Sequence, residues 1–342
     1  MDTLSANTTK RIRRGKLIDS GELKRNLNKR ASVAAARQAS LCTRPGPPLS
    51  HCPICAGSRH HPLVEIYGYT YHECGNCGVV FVCNMPTESE LTRLYASECY
   101  SQSAAALLTN DQVLNYRIAH VARPKVDYVL ERIRPRRRAW LDIGCGTGEV
   151  LSVLKEYGWL VKGLECNAHE RTCARRRFGL DVDDAFLTRD NAVACAGDFE
   201  VISLFGVLEH LTDPHAIVQM LGAAQCAGGY LVIEVPHYPS VSAYSQLAFP
   251  DMVNRIMHPP LHLYLFALKS LTHLLGAHGY EITDAWLYGQ DMYEVWSTLG
   301  LVVDALDGSR LADAMAAMLA AFQQSVDQAG LSDEVLVIAT RR

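Results

Sequence analysis

Two groups of residues in this chain have the types and spacing that chemistry requires. Cys52-Pro53-Ile54-Cys55 and Cys74-Gly75-Asn76-Cys77 are two C-x-x-C pairs with 18 residues between them. Two such knuckles place four thiolates tetrahedrally around one zinc ion, and four thiolates close the coordination sphere, so the ion is expected to be structural. Pro53 and Gly75 suit the tight knuckle turns. A module this short buries too little apolar surface to fold alone, and metal binding would supply the missing free energy. His60, His61, His72 and Cys83 lie nearby and read as exposed or packed residues.

The second group is Asp142-Ile143-Gly144-Cys145-Gly146-Thr147-Gly148, with a strand expected before it and a helix after it. Residues without Cβ let the backbone pass close to a ligand, and a helix N-terminus offers free N–H groups. Nicotinamide-binding loops of the G-x-G-x-x-G kind would need glycine at 149, where this chain has Glu149. Glu165 ends the next expected strand, where a carboxylate can accept both hydroxyls of a ribose. The histidines that could move a proton are His210, beside Glu209, and His237, with His262 and Tyr264 as further candidates. An imidazole has the pKa for such work, but each of these residues can equally serve to pack or to fix a loop.

These side chains need a scaffold that brings them together. From Arg138 onward, short apolar runs alternate with helical patterns, which predicts a parallel sheet covered on both faces. Strands are expected at Ala139–Ile143, Leu160–Glu165, Leu180–Asp183, Glu200–Leu204 and Tyr230–Val235. Helices are expected at 147–157, 168–178, 213–226 and 268–278. Two later strands, about Glu281–Leu287 and Glu334–Ala339, flank apolar helical sequence at 292–304 and 309–329. The domain boundaries read as a basic, solvated arm over 1–48, a zinc ribbon over 49–86, a helical connector or lid over 87–136, and an α/β domain over 137–342. Within the arm, a short helix running to about Ser40 is consistent with the residues.

Taken as a set, the motifs resemble class I S-adenosylmethionine-dependent methyltransferases over about residues 95–290. The glycine loop matches the first motif of that family. Glu200-Val201-Ile202-Ser203-Leu204-Phe205-Gly206-Val207-Leu208-Glu209-His210-Leu211-Thr212-Asp213-Pro214 matches its fourth strand and following loop, with Glu200 in place of the usual Asp. Gly228-Gly229-Tyr230 to Pro236 matches the fifth strand. His258-Pro259-Pro260-Leu261-His262 to Phe266, then Leu271 to Tyr280, matches the stretch before the sixth. The resemblance implies a Rossmann-like sheet of order 3-2-1-4-5-7-6 with the last strand antiparallel. It implies S-adenosylmethionine contacts from Asp142, Gly144, Cys145, Gly146, Gly148, Glu165 and Phe205, with Asp184, Ala185 and Phe186 as positional candidates for adenine. It places His210 in the loop toward which the methyl group would point. Tyr95 and Tyr100 match an aromatic position that closes over the cofactor. The ribbon, continuing Cys77-Gly78-Val79-Val80-Phe81, is similar to that of the deoxysugar C-methyltransferase group and related natural-product enzymes, in which it tends to cover the acceptor pocket.

Composition bounds the partners. The net charge of −3 argues against a protein that coats nucleic acid by bulk charge. No run approaches the roughly 18 apolar residues of a membrane helix, and the polar N-terminus lacks a secretory h-region. A reducing cytoplasm is therefore expected, where the 12 cysteines serve as ligands or packing residues. The favoured reading is a methyltransferase acting at O or C of a small hydroxylated metabolite: a sugar, sugar nucleotide or natural-product intermediate. An RNA base methyltransferase with a zinc recognition module is the alternative, and salt-dependent binding to bulk RNA would favour it. A silent zinc-and-cofactor scaffold is a third reading, which failure to bind S-adenosylmethionine would revive.

Overall fold

The computed structural model describes residues 12–15, 29–95, 111–185, 192–302 and 310–342. Twelve strands form two sheets among the described residues. They are β1 (Ile12–Arg14), β2 (His60–Ile66), β3 (Tyr69–Cys74), β4 (Val80–Val82), β5 (Ala139–Ile143), β6 (Leu160–Leu164), β7 (Val182–Asp183), β8 (Val201–Phe205), β9 (Tyr230–Pro236), β10 (Tyr264–Leu265), β11 (Tyr280–Tyr288) and β12 (Glu334–Arg341). The large sheet has the order β1-β11-β12-β9-β8-β5-β6-β7. Its strands from β7 to β11 run 3-2-1-4-5-7-6 in the expected numbering, and β12 is antiparallel to both neighbours. This is the Rossmann-like α/β architecture anticipated from the sequence.

The central strands are buried on both faces, which is why they read as apolar runs instead of alternating ones. All five residues of β5 are buried, as are the first four of β8. The third strand of the domain is shorter than expected, at Val182–Asp183. Helix Ala168–Phe178 ends on Gly179 in the left-handed conformation, and Leu180 is then spent on packing against the helix that follows the glycine loop. Each helix near the site has a local start signal. Asn167 accepts hydrogen bonds from the His169 and Glu170 amides, and Asp213 accepts one from the Ala216 amide with Pro214 in the first turn.

Two features depart from the domain picture read off the sequence. In the segment expected to be a solvated arm, Ile12–Arg14 adds an eighth strand in parallel to the edge strand β11. Trp286 Nε1 donates to the Gly15 carbonyl, and the Arg13 guanidinium lies over the Trp286 ring. The helix Lys29–Leu41 in the same segment agrees with the short helix to about Ser40 read from the sequence. The small sheet is also not closed on itself: its order is β10-β4-β3-β2, so its edge strand β10 comes from within the α/β domain's own sequence. Period-2 patterning cannot reveal a two-residue strand, and β10 is only Tyr264–Leu265.

Candidate functional site

At the carboxyl end of β5 the chain turns through Gly144, Gly146 and Gly148, each with positive φ. A Cβ on Gly144 would come within 2.7 Å of the Val207 side chain, and one on Gly148 within 2.5 Å of Leu180. Glycine is therefore demanded here by close approach as well as by backbone conformation. The Gly146 amide donates to Glu165 Oε2 at 2.9 Å, and the Asn167 amide donates to Oε1 at 2.7 Å. Two backbone donors thus hold the Glu165 carboxylate at the end of β6. Arg171 fastens the same corner: its guanidinium donates to the carbonyls of Glu165 and Cys166 and to Asp184 Oδ2.

Gly144, Gly146, Glu165, Glu170, Ala185, Tyr95 and His210 line one cleft. The other predicted cofactor residues stand behind it. Asp142 is buried and accepts from Ser203 Oγ at 2.6 Å, and Trp140 Nε1 donates in turn to that hydroxyl. Burial pushes the Asp142 pKa up to about 7 against the lowering effect of Ser203. Cys145 packs into the core beneath the loop with Leu151 and Val182. Gly148 packs against helix Ala168–Phe178 and Leu180. Asp184 is held by Arg171, and Phe205 packs against the core on the side of Lys125. Phe186 and Tyr100 lie outside the described residues.

Position 149, where a nicotinamide loop would have glycine, acts as a latch. Glu149 accepts from Arg117 Nε and from Thr147 Oγ1, both at 2.8 Å. Burial alone would raise its pKa, but the Arg117 charge and these hydrogen bonds outweigh burial and lower it. The glycine turn is thereby tied to the helical connector.

His210 lies in the short helical turn Leu208–His210 after β8. Its Nδ1 is 2.9 Å from both the Leu261 carbonyl and the Tyr95 hydroxyl. A carbonyl can only accept, so Nδ1 carries the proton and Nε2 keeps its lone pair. Burial pulls the His210 pKa down to about 4, which leaves the ring neutral at neutral pH. Glu209 is buried, its Oε2 has no hydrogen-bond partner among the described residues, and burial raises its pKa well above the usual range. His262, with Nδ1 3.1 Å from the Ile256 carbonyl, packs edge-on against His210. His237 lies outside the cleft lining; it is buried, with Nδ1 2.8 Å from the Ser332 carbonyl. Tyr264 donates to the Thr212 carbonyl at 3.2 Å. Arg171, Glu170 and the Arg117–Glu149 latch were not anticipated. Arg171 follows Glu165 by six residues, but two of its partners are backbone oxygens that leave no mark on composition, and the third, Asp184, lies 13 residues on.

The four cysteines Cys52, Cys55, Cys74 and Cys77 converge, with all sulfurs within 4.8 Å of one another. Cys52 and Cys77 sulfurs are 3.7 Å apart and those of Cys55 and Cys74 are 3.5 Å apart. A tetrahedral zinc with bonds of about 2.3 Å needs edges of about 3.8 Å, so the donor set fits that ion. The two knuckles repeat one geometry: the amide four residues after the first cysteine donates back to its carbonyl, from Ala56 to Cys52 and from Gly78 to Cys74. Both Ala56 and Gly78 have positive φ. The first knuckle thus carries alanine at a left-handed position where glycine fits without strain.

The ribbon is bonded to the loops around His210. The Val82 amide of β4 donates to the Leu263 carbonyl, and the Leu263 amide donates to the Glu209 carbonyl. Tyr71 Oη donates to the His262 carbonyl at 2.6 Å, and His215 Nε2 lies 2.8 Å from the Ile54 carbonyl within the first knuckle.

Residues 114–285 match a family model described as a methyltransferase domain. A curated ubiquinone biosynthesis O-methyltransferase of Xanthomonas axonopodis pv. citri is 24% identical over 220 residues, covering 62% of this chain and 91% of that protein. The protein of the same name from Stutzerimonas stutzeri is 26% identical over 124 residues, and the match spans 35% of this chain and 53% of that protein. Among solved structures, a SAM-dependent methyltransferase from Archaeoglobus fulgidus is similar with a TM-score of 0.42 and 18% identity, over 68% of this chain and all of that one.

Proposed function

This chain belongs to the methyltransferase-domain family and is an S-adenosylmethionine-dependent methyltransferase; from that premise we propose that it methylates a small hydroxylated metabolite at oxygen or carbon. The acceptor class is a sugar, a sugar nucleotide or a natural-product intermediate. The observation that carries the reading is that Glu165, the Gly144–Gly146 turn and His210 open onto one cleft. The curated relatives are named as O-methyltransferases, which supports an oxygen acceptor.

When bound, S-adenosylmethionine supplies a methyl group on a positively charged sulfonium. Glu165 is the residue for the ribose hydroxyls, since its carboxylate is already oriented by two amides. Gly144 and Gly146 let the backbone approach the ligand. Glu165 lends the cleft negative charge suited to a cation, and Glu170 adds to it once ionised. His210 Nε2 is the site for the acceptor's proton, because the Leu261 carbonyl occupies the proton on Nδ1. Tyr95 positions that ring and walls the cleft. The four cysteines would hold one structural zinc, which brings the two knuckles together and supports β4 beside the Glu209–His210 loop.

The test is calorimetric binding of S-adenosylmethionine together with labelled methyl transfer to panels of hydroxylated metabolites. His210→Ala is expected to lower turnover by about 10²–10⁴-fold while cofactor affinity changes little. A near-normal rate would reduce His210 to a loop anchor, and absence of cofactor binding would overturn the reading altogether.

A further inference from the structure

The ribbon's sheet carries a second set of metal-ligating side chains that the tetracysteine site does not use. His60 on β2, His72 on β3 and Cys83 just past β4 each place one donor atom within 4.8 Å of the other two. Two come from adjacent strands and the third from the turn just after β4. His60 stands opposite Cys74 in the β2–β3 register, and His72 lies two residues before Cys74, so they share its face of the sheet. Cys83 is buried, and both histidines are half-buried.

The surroundings hold these groups in place. The Cys83 amide donates to the Thr70 carbonyl, and Asn84 bonds the Thr70 amide and the Gly68 carbonyl on either side of that position. The Phe81 ring lies edge-on to His60 with centroids 5.4 Å apart. The two Nδ1 atoms face each other at 2.8 Å, so one bears a proton and the other a lone pair. The Cys83 thiol makes a 3.4 Å contact with the Leu49 carbonyl. All three donors are nitrogen or sulfur, which suits zinc and similar borderline ions and does not suit calcium or magnesium.

We propose that His60, His72 and Cys83 form a second, open zinc site on the ribbon. Binding releases the Cys83 thiol proton to solvent and moves the shared Nδ1 proton to the Nε2 of the same ring, so that both Nδ1 lone pairs and the thiolate face the ion. A tetrahedral ion with bonds of about 2.0–2.1 Å needs its nitrogens about 3.3 Å apart, so the two rings open slightly. Three protein donors leave the fourth position to water or an exchanging ligand. This zinc is therefore labile where the tetracysteine zinc is fixed. Its ligand Cys83 directly follows β4, the strand bonded to Leu263.

The experiment is a zinc titration of the full chain, already holding its tight equivalent, against a chromophoric chelator, with cobalt substitution read by absorption. Wild type is expected to take up one further, chelator-labile equivalent, with a cobalt spectrum showing a single thiolate charge-transfer band. His72→Ala and Cys83→Ser are each expected to lose that equivalent and retain the tight one, and Cys83→Ser to lose the band. His61→Ala, which removes an exposed neighbour, should keep both equivalents. If His72→Ala also loses the tight equivalent, the more conservative Cys83→Ser decides. Saturation of wild type at one equivalent, or a labile equivalent that survives in Cys83→Ser and His60→Ala, would overturn the proposal; neither result bears on methyl transfer.

Discussion

Glu170 shows how a single side chain can make cofactor binding depend on pH. It lines the cleft, and its pKa is pushed up to about 7 by burial first and then by the charges of Glu165 and Glu149. The folded, ligand-free protein thus keeps a proton on Glu170 that the unfolded chain releases near pH 4.5. For this group stability is present at low pH and is lost as pH rises toward 7. A sulfonium cation favours the ionised carboxylate, so affinity for S-adenosylmethionine is expected to rise by up to about tenfold between pH 6 and 8. S-adenosylhomocysteine, with no charge on sulfur, should show a flatter profile, and Glu170→Gln should flatten the profile for both. Calorimetry across that pH range checks this; an unchanged slope in Glu170→Gln would assign the dependence elsewhere. Much at this scale was legible in advance. The types and spacing of Gly144, Gly146 and Glu165 are dictated by local geometry, and they meet where the sequence indicated. The bond between Tyr95 and His210 joins residues 115 positions apart, and Glu170, Arg171 and the Arg117–Glu149 latch depend on the packed structure. No local pattern encodes such pairings.

At the scale of elements, the connection of most consequence runs from β4 to the His210 loop. Val82 bonds Leu263, and Leu263 bonds Glu209. Cys74 ends β3, the strand that pairs with β4. Cys74→Ser is therefore expected to abolish the proposed zinc binding by the four cysteines, loosen β4 and lower turnover by about tenfold or more, while S-adenosylmethionine affinity changes much less. Metal analysis, turnover and calorimetry on one preparation separate these effects. A zinc-free variant with full turnover would show that the ribbon and the loop are independent. The inner strands of the large sheet were readable as separate apolar runs, and their order was what the resemblance to class I methyltransferases implied. The strand β10 was not, because Tyr264–Leu265 sits inside a longer apolar stretch and gains its identity only from pairing with β4.

For the molecule as a whole, the exposed edge of the large sheet is the vulnerable boundary. β11 is covered by Ile12–Arg14, with Arg13 over Trp286 and Gly15 accepting from its indole. An open edge with a large aromatic beside it is a template for strand pairing between molecules. Removal of residues 1–15 is expected to lower the unfolding temperature and to promote self-association, measured by light scattering against concentration. A truncated chain that stays monodisperse at the original unfolding temperature would show that β1 adds nothing. Composition pointed to a solvated basic stretch here, since three residues of strand are too few to register as a pattern. Among the described residues no helix is long and apolar enough to cross a membrane.

The sharing of β10 also bears on the order in which the chain can assemble. Tyr71 and His262, bonded across the ribbon and the α/β domain, are 191 residues apart in sequence. During synthesis the two cysteine pairs emerge early, but the sheet that carries them has no fourth strand until most of the chain has left the ribosome. Closing a loop of that length costs about 4.6 kcal/mol of chain entropy, so this closure is favoured only once the intervening α/β layers have collapsed and brought the ends together. Pairing of β2 to β4 and completion of the sheet by β10 thus become two separate events in time, and the interval between them is when the open edge of β4 is most exposed to wrong partners.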